Sequence, residues 1–238
     1  MPFGFAILDK IRGSLYLARD RFGEKPLFYA AQQGLFAFSS ELHSIEKHTE
    51  IQSNISYLGL QKLFAYGYIP APNSLLENVF KLPAGHQMIV DLKTLERKQT
   101  KYWEFLLTPD ETLISADENV LAEQLQALIS QSVSRRLVSD VPLGVFLSGG
   151  IDSSAILCAS AQNSKGKKIS SFTIGFEEAS YDESLYAQLV AEHAGSEHHV
   201  RTLNLTNAQD LIPKVLGQLD EPIGDASLLP TYLLSKFT

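Results

Sequence analysis

The sequence predicts an α/β protein with two parts of different character, and two observations lead to this prediction. Up to residue 104, short segments with alternating apolar residues are joined by tight turns, which is typical of a mainly β domain of the α+β type. After residue 117, strands alternate with helices, which favours a parallel sheet covered by helices. We therefore predict a first domain over residues 1–104, a linker over 105–117 and a second domain over 118–238.

The first domain is predicted to contain two hairpins, each closed by a short polar turn. The first turn is Lys10-Ile11-Arg12-Gly13 and the second is Gln32-Gln33-Gly34. The predicted strands cover 3–9, 14–19, 27–30, 35–39 and 85–92, with 93–102 pairing back on the last of them, and the predicted helices cover 41–47 and 58–64.

The second domain opens with a predicted helix over 118–137, for which Asp117 is a good N-cap. Its apolar residues at spacings of three and four should form one buried face, made of Leu121, Leu125, Leu128, Ile129 and Val133. Strands are predicted over 143–147, 169–176 and 197–203, and helices over 153–162, 183–194, 210–219 and from 230. The helix over 210–219 contains Pro213, which a helix tolerates only in its first turn.

The overall composition excludes several classes of protein. A net charge of -7 without a long basic run argues against a nucleic-acid surface. No apolar run approaches the roughly 20 residues that span a bilayer, and the N-terminus lacks a signal-peptide pattern. Cys158 is the single cysteine, so an internal disulfide cannot form, and no Cys/His spacing suggests zinc. We predict a cytoplasmic protein with neither nucleic-acid nor membrane partners, and its oligomeric state stays open.

A small-residue loop follows the predicted strand over 143–147 and precedes a helix, and it carries the main functional signal. Gly149 and Gly150 let the backbone approach an anion closely, and Ser148, Ser153 and Ser154 add hydroxyl groups. The N-terminus of the following helix directs unpaired amides and a positive dipole end to the same place. The loop therefore predicts a phosphate-binding site.

Asp152 lies inside this phosphate loop and makes the prediction more specific. A carboxylate would repel a phosphate unless a divalent cation lay between them, so Asp152 indicates Mg²⁺. The alternative is an ordinary strand-to-helix turn in which Asp152 is only an N-cap. The full strand, loop and helix context favours the phosphate site.

The run Ser148-Gly149-Gly150-Ile151-Asp152-Ser153 resembles the signature of the ATP pyrophosphatase family. That resemblance implies a doubly wound parallel α/β fold and the cleavage of ATP into AMP and pyrophosphate during adenylation of a substrate. It further implies adenine contact at Ile174 and nucleotide contact, largely through main-chain atoms, at Phe146 and Leu147. These three residues are also compatible with ordinary core positions.

Other segments are similar to glutamine-dependent asparagine synthetases along essentially the whole chain. The first domain resembles the C-terminal part of their N-terminal nucleophile glutaminase, a class II amidotransferase domain. The second resembles the N-terminal part of their ATP-dependent synthetase domain. The segments that carry this resemblance are 17–29, 36–41, 81–86, Tyr102-Trp103, Tyr181-Asp182-Glu183-Ser184, Glu197-His198-His199, and 220–227 through Pro230-Thr231.

Several charged or titratable residues allow both a functional and a structural interpretation. Asp220, Glu221 and Asp225 could hold Mg²⁺ or the amino group of an aspartate substrate, or they could be helix caps. His198 and His199 alternate faces of a strand, and we favour a structural role. The run from Asp20 to Pro26 reads as a solvated charged turn with mutual ion pairs.

The resemblance also defines what the chain lacks. The glutaminase reaction of the family needs an N-terminal cysteine, but Met1 and Pro2 stand here, and Cys158 lies on an apolar helix face where an inert thiol is expected. We assign no glutaminase catalytic residue. A downstream Ser-Gly-x-Gly-x-Asp-Glu segment is absent too, so we expect a fragment truncated at both ends, with an incomplete active site.

For the parent enzyme, the resemblance implies asparagine synthesis from aspartate and glutamine, with ATP and Mg²⁺. The expected intermediate is β-aspartyl-AMP, and the products include AMP and pyrophosphate. Three alternatives stay open: an amidotransferase acting on another carboxylate, a β-lactam synthetase, and an inactive nucleotide-binding remnant.

Overall fold

A computed structural model describes residues 2–164, 166–178, 182–203 and 205–238, and the chain divides into two compact units. Unit 1 comprises Met1–Leu107 and Gln218–Asp225, and unit 2 comprises Thr108–Gly217 and Ala226–Thr238. The first change of unit falls within the predicted linker over 105–117. The sequence places residues 218–225 in the predicted second domain, whereas the structure groups Gln218–Asp225 with unit 1.

Unit 1 is built on two antiparallel sheets. Its strands are β1 (Gly4–Asp9), β2 (Ser14–Arg19), β3 (Phe28–Gln32), β4 (Leu35–Ser39), β5 (Val79–Lys81), β6 (His86–Asp91) and β7 (Arg97–Lys101). One sheet has the order β1-β2-β6-β7 and the other β4-β3-β5. Both predicted hairpins and the pairing of 93–102 back on the preceding strand are confirmed. The short strand β5 was not predicted.

The alternation of side chains along β3 builds two cores. Tyr29 packs with Leu17 of β2 and Val90 of β6, in a cluster between the two sheets. Phe28 and Ala30 lie on the other face and pack with the helical residues Leu42 and Ile45. Unit 1 contains the helices α1 (Leu42–Glu46) and α2 (Tyr57–Tyr66).

Within the turn after β2, Arg21, Glu24, Lys25 and Pro26 are exposed, as expected of the predicted solvated loop, but Asp20 is buried. Asp20 is only 3% exposed, and its carboxylate accepts the amides of Phe22, Glu24 and Lys25 at 3.0 to 3.1 Å. Burial acts to raise the pKa of Asp20, but hydrogen bonds from backbone amides outweigh it and lower the pKa. Asp20 therefore organises the turn through the backbone.

Arg19 acts in the same way from the other side of the turn. Its guanidinium donates to the carbonyl oxygens of Gly23, Lys25 and Leu82 at 2.8 Å each. Burial lowers the pKa of Arg19, and the charge of Asp20 opposes that effect. The prediction of mutual ion pairs was wrong for Asp20, because its carboxylate accepts backbone amides instead.

Unit 2 contains a parallel sheet. Its elements are a short 3₁₀ helix (Glu111–Leu113), α3 (Glu118–Arg136), β8 (Gly144–Phe146), α4 (Ile151–Asn163), β9 (Ser170–Phe176), α5 (Ser184–Ala194), β10 (Glu197–Leu203), α6 (Leu205–Leu216) and α7 (Leu228–Phe237). The strand order is β10-β9-β8, and both pairs are parallel, as predicted.

Helices cover both faces of this parallel sheet. Leu147, directly after β8, packs with Leu157 of α4 and Ala187 of α5 in one buried cluster. On the opposite face, the rings of Phe172 in β9 and Phe237 in α7 meet edge to face at 5.8 Å. This two-sided covering agrees with the predicted doubly wound α/β class.

Three helix predictions need correction. α6 begins at Leu205 rather than at residue 210, so Pro213 lies in the helix interior rather than in its first turn. The helical path nevertheless continues, and the amide of Gly217 donates to the carbonyl of Pro213 at 3.0 Å.

On α3, Asp117 is the N-cap as predicted, but Leu125 and Leu128 are 59% and 64% exposed. α7 begins at Leu228, two residues before the predicted start at Pro230.

Among the helices of the described residues, none has the length and apolar character needed to cross a membrane.

Candidate active site

The phosphate loop predicted from the sequence lies at the carboxyl end of the parallel sheet. β8 ends at Phe146 and α4 begins at Ile151, which leaves residues 147–150 as the connection. The amide of Leu147 donates to Phe172 at 2.9 Å, and the hydroxyl of Thr173 donates to the carbonyl of Leu147 at 2.6 Å. These bonds fix the start of the loop to β9, at the sheet edge where α/β folds bind ligands.

Gly149 has a backbone conformation and surroundings that only glycine fits. Its φ is +87°. A Cβ atom there would lie 2.9 Å from the carbonyl oxygen of Glu183 and 3.0 Å from the amide nitrogen of Ala187. The backbone at the start of α5 therefore packs directly on the loop.

Gly150 is less restricted than Gly149. Its φ is -72°, and a Cβ would approach only the hydroxyl of Ser148, at 3.3 Å. Gly150 is the N-cap of α4, and its carbonyl accepts the hydroxyl of Ser154 at 2.7 Å. The two adjacent glycines thus have different structural roles.

The serine hydroxyls close the loop on itself. The amide of Ser148 donates to the hydroxyl of Ser153 at 3.2 Å, and the two hydroxyls lie 3.0 Å apart. The amide of Gly150 donates to the Ser148 hydroxyl at 3.2 Å, and the Ser153 hydroxyl donates to Gly150 at 3.1 Å. The loop is therefore preformed, which limits the conformational entropy that a ligand would cost.

The N-terminus of α4 supplies free donors at this loop. The amide of Ser154 donates to the Gly150 carbonyl at 3.1 Å, so the amides of Ile151, Asp152 and Ser153 precede the first intrahelical bond. Together with the helix dipole they favour an anion. The alternative of Asp152 as N-cap does not fit, because Gly150 is the cap and Asp152 lies in the first turn with an exposed side chain.

The residues around the loop fit a Mg²⁺ ion that is shared with phosphate rather than held by the protein alone. Within the described part of the chain, no group of three or more His, Cys, Asp or Glu residues could hold a metal ion. Mg²⁺ commonly takes one or two carboxylates, several waters and the oxygens of substrate phosphates. Asp152 could supply one such carboxylate beside the loop amides.

Ile174 lies near the same edge of the sheet. Phe146 pairs with Phe172, so Ile174 is two residues farther toward the carboxyl end of β9 and beyond the end of β8. The side chain of Ile174 is half-buried, and that of Phe146 is 46% exposed. The structure thus brings Phe146, Leu147, the loop residues, Asp152 and Ile174 to one edge.

Asp182 orders the turn beside this edge, and its role was not predicted. It accepts the amides of Phe176 and Ser184 at 3.2 Å and the Ser184 hydroxyl at 2.9 Å. The Ser184 hydroxyl and these amides lower the pKa of Asp182. The signal in the sequence is an aspartate two residues before Ser184, which is the spacing of an Asx turn. Tyr181, the preceding residue of the sequence motif, lies outside the described residues.

The three other candidate carboxylates group with the compact unit that does not contain the phosphate loop. Asp220, Glu221 and Asp225 belong to unit 1, where Asp220 accepts the amides of Leu42 and His43. The helix-cap alternative therefore fits Asp220, although it caps α1 rather than a neighbouring helix. A metal or substrate role for the three stays a prediction.

The two histidines of β10 lie on opposite faces. Nδ1 of His198 is 2.9 Å from the Ser171 hydroxyl, and its Nε2 is buried without a partner. His199 stacks on Phe172 with ring centroids 5.0 Å apart. Burial first, and then the neighbouring His199, lower the pKa of His198. Both side chains take part in packing, which fits the structural role that we favoured.

Comparison with known proteins agrees with this layout. The family model for the glutamine amidotransferase domain matches residues 2–103, and the model for asparagine synthase matches residues 124–238. A putative glutamine-hydrolysing asparagine synthetase 2 of Methanocaldococcus jannaschii is 38% identical over 98% of this chain and 45% of its own length. Glutamine-hydrolysing asparagine synthetase 1 of Bacillus subtilis is 30% identical over 98% of this chain and 36% of its own.

The chain thus spans less than half the length of these relatives. The order of the two matched domains is the order of the mainly β and the parallel α/β units described above. By these matches, residues 2–103 belong to the glutamine amidotransferase domain family and residues 124–238 to the asparagine synthase family, and the chain is similar along 98% of its length to glutamine-hydrolysing asparagine synthetases.

Proposed function

We propose that the protein makes asparagine from aspartate, with glutamine as nitrogen donor and ATP as the source of energy. The observation that carries this proposal is the preformed loop from Ser148 to Ser153, in an asparagine synthase domain that follows a glutamine amidotransferase domain. The names of the relatives support the same reaction.

In this proposal the loop binds the pyrophosphate part of ATP. The amides at the start of α4 donate to phosphate oxygens, and Gly149 keeps the backbone close to them. The Ser153 hydroxyl keeps its single proton on the Gly150 carbonyl, and the Ser148 hydroxyl would turn away from Ser153 to donate to a phosphate oxygen.

Phe146, Leu147 and Ile174 line the nucleotide side. The backbone amide and carbonyl of Leu147 both form hydrogen bonds to β9, to Phe172 and Thr173. A nucleotide could therefore bond to the Leu147 backbone only through the second lone pair of the carbonyl oxygen.

The proposed chemistry has two steps. A side-chain carboxylate oxygen of aspartate attacks the α-phosphorus of ATP and pyrophosphate leaves, which gives β-aspartyl-AMP. Ammonia from glutamine then attacks the acyl carbon and AMP leaves. Mg²⁺ would neutralise charge on the departing pyrophosphate, and Asp152 would hold the ion there.

The test uses the full-length product of the reading frame, supplied with aspartate, ATP and Mg²⁺, and with either glutamine or ammonia. We expect equimolar asparagine, AMP and pyrophosphate. Formation of ADP and phosphate, or turnover that does not depend on aspartate, would contradict the proposal. Turnover with another carboxylic acid in place of aspartate would favour a related ligase.

A further inference from the structure

Asp182 lies between the end of β9 and the start of α5, and its carboxylate joins the two elements. Oδ1 accepts the amide of Phe176, the last residue of β9, and the amide of Ser184, the first residue of α5, at 3.2 Å each. The other oxygen accepts the Ser184 hydroxyl at 2.9 Å. The start of the helix is therefore held to the end of the strand by one side chain, in addition to the covalent chain.

The end of β9 has room for this carboxylate because residue 175 is a glycine. Gly175 is buried, and a Cβ there would lie 3.1 Å from Oδ1 of Asp182 and 3.5 Å from the Cβ of Ser184. The first of these distances is tighter than ordinary van der Waals contact. A side chain at position 175 would thus push the carboxylate away from the strand.

Glu183, between Asp182 and Ser184, brings this arrangement to the phosphate loop. It is the N-cap of α5, and its carbonyl accepts the amide of Ala187 at 3.1 Å. A Cβ at Gly149 would lie 2.9 Å from the same carbonyl oxygen and 3.0 Å from the Ala187 amide nitrogen. Gly149 therefore packs on a piece of backbone that Asp182 fixes from both sides.

The charge of Asp182 does not account for its place beside a loop that binds an anion. The Ser184 hydroxyl, and then the amides of Phe176 and Ser184, lower the pKa of Asp182, so the carboxylate is ionised at neutral pH. A negative charge near the loop repels phosphate. Any favourable contribution of Asp182 to phosphate binding is therefore geometric and acts through its hydrogen bonds.

We propose that Asp182 is a positioning residue for the phosphate loop. It holds the Glu183 carbonyl in the place where it packs on Gly149, and so sets how the loop amides face the phosphates of ATP. The identity of the ligand rests on the proposed function, whereas the path from β9 through Asp182 to Gly149 consists of contacts within unit 2. The simpler alternative is that Asp182 only stabilises the start of α5.

The test is calorimetric titration of ATP with Mg²⁺ into the full-length protein, unaltered and with Asp182→Ala, Asp182→Asn or Ser184→Ala. Asp182→Asn removes the charge but keeps an oxygen for both amides, and Ser184→Ala removes the hydroxyl bond alone. Glu178→Gln is the matched control, because Glu178 is an exposed acid between β9 and α5. Hydrogen exchange of peptides over residues 147–153 is measured in the same proteins without ATP.

We expect Asp182→Ala to weaken ATP binding about tenfold and to speed hydrogen exchange in the loop. Ser184→Ala should weaken ATP binding about threefold, because one of three hydrogen bonds is lost. Asp182→Asn should bind ATP within about twofold of Glu178→Gln, because each loses one charge and neither loses the amide bonds.

The number of binding sites per molecule separates positioning from misfolding. Unfolded protein lowers this number and leaves the dissociation constant of the folded molecules unchanged, whereas a displaced loop raises the dissociation constant. If Asp182→Ala retains few sites, the dissociation constant of Ser184→Ala decides the question.

Two results would overturn the positioning role. Unchanged ATP affinity and unchanged loop exchange in both alanine variants would leave Asp182 as a helix cap only. Tighter ATP binding by Asp182→Ala, or equal weakening in Asp182→Asn and Asp182→Ala, would show that charge rather than hydrogen-bond geometry governs its effect. Absence of ATP binding to the unaltered protein would refute the proposed ligand, and the loop exchange of Asp182→Ala would still decide the positioning role.

Discussion

Gly149 of the phosphate loop and Glu183 before α5 are so close that a Cβ at position 149 would lie 2.9 Å from the Glu183 carbonyl oxygen. Asp182 holds the same turn to the end of β9 through the amide of Phe176. The shape of the loop therefore depends on the turn that precedes α5 as well as on its own glycines.

Replacement of Gly149 by alanine should disrupt the loop. The side chain would clash with backbone that cannot rotate away, in a conformation with positive φ, so we expect a cost of about 2–4 kcal/mol in unit 2. Hydrogen exchange of peptides from α4 and α5 measures this directly.

Gly150→Ala is the matched control for that prediction. A Cβ there meets only a serine hydroxyl at 3.3 Å, at a φ of -72° that alanine adopts readily. We expect a change below about 1 kcal/mol, as for ordinary caps. Equal destabilisation by both substitutions would contradict the packing of α5 on Gly149.

Asp20→Asn should destabilise unit 1 and reduce its sensitivity to acid. The substitution removes the charge and one of two acceptor oxygens from a buried group that accepts four amides, which costs about 1–3 kcal/mol. The pKa of Asp20 is lowered on folding, so its contribution is present above about pH 3.9 and is lost as the pH falls through the folded value.

Denaturant unfolding followed by the fluorescence of Trp103 reports on this turn, because Trp103 contacts Phe22 with ring centroids 4.9 Å apart. The stability difference between the unaltered protein and Asp20→Asn should be full at pH 6 and shrink below pH 4. A difference that is constant over this range would show that the charge of Asp20 has no stabilising role.

His198 should make unit 2 less stable in mild acid. Protonation would place a charged N–H at the buried Nε2, which has no partner, and burial lowers the pKa of His198. Below about pH 6.5 the unfolded chain therefore binds a proton that the folded chain does not, so stability falls as the pH drops.

Hydrogen exchange of β9 and β10 at pH 7.5 and pH 5.5 tests this, after correction for the intrinsic exchange rates. His198→Gln should lose much of the pH dependence, while its side-chain amide can still form a hydrogen bond with the Ser171 hydroxyl. His193→Gln is the control, because His193 is an exposed histidine of α5 in the same unit. The same pH dependence in all three proteins would exclude His198 as its source.

Local sequence patterns were sufficient for most of the elements that position the phosphate loop. Apolar alternation predicted the hairpins of unit 1, and the sequence from Pro142 to Ser154 predicted a strand, a loop and a helix. These features depend on residues that are neighbours along the chain, so their spacing carries the information.

Features that depend on distant contacts were not predictable in the same way. The burial of Asp20 depends on the turn folding back over it, and the place of Asp220 depends on a contact with Leu42 across 178 positions. β5 has three residues, too few for a periodic pattern. Pro213 suggested a later start for α6, because helix propensity disfavours proline beyond the first turn. Propensity does not include the packing that keeps a proline inside a helix.

The most direct test of the central claim is calorimetric titration of ATP into the full-length protein, with Mg²⁺ and with EDTA, for the unaltered protein, Asp152→Asn and Asp140→Asn. Asp140 is an exposed control that precedes β8. We expect Mg²⁺ to tighten ATP binding at least about tenfold in the unaltered protein and in Asp140→Asn, and to have little effect in Asp152→Asn. An equal effect of Mg²⁺ on all three proteins would contradict the assignment of Asp152, and absence of ATP binding to the unaltered protein would contradict the phosphate loop itself.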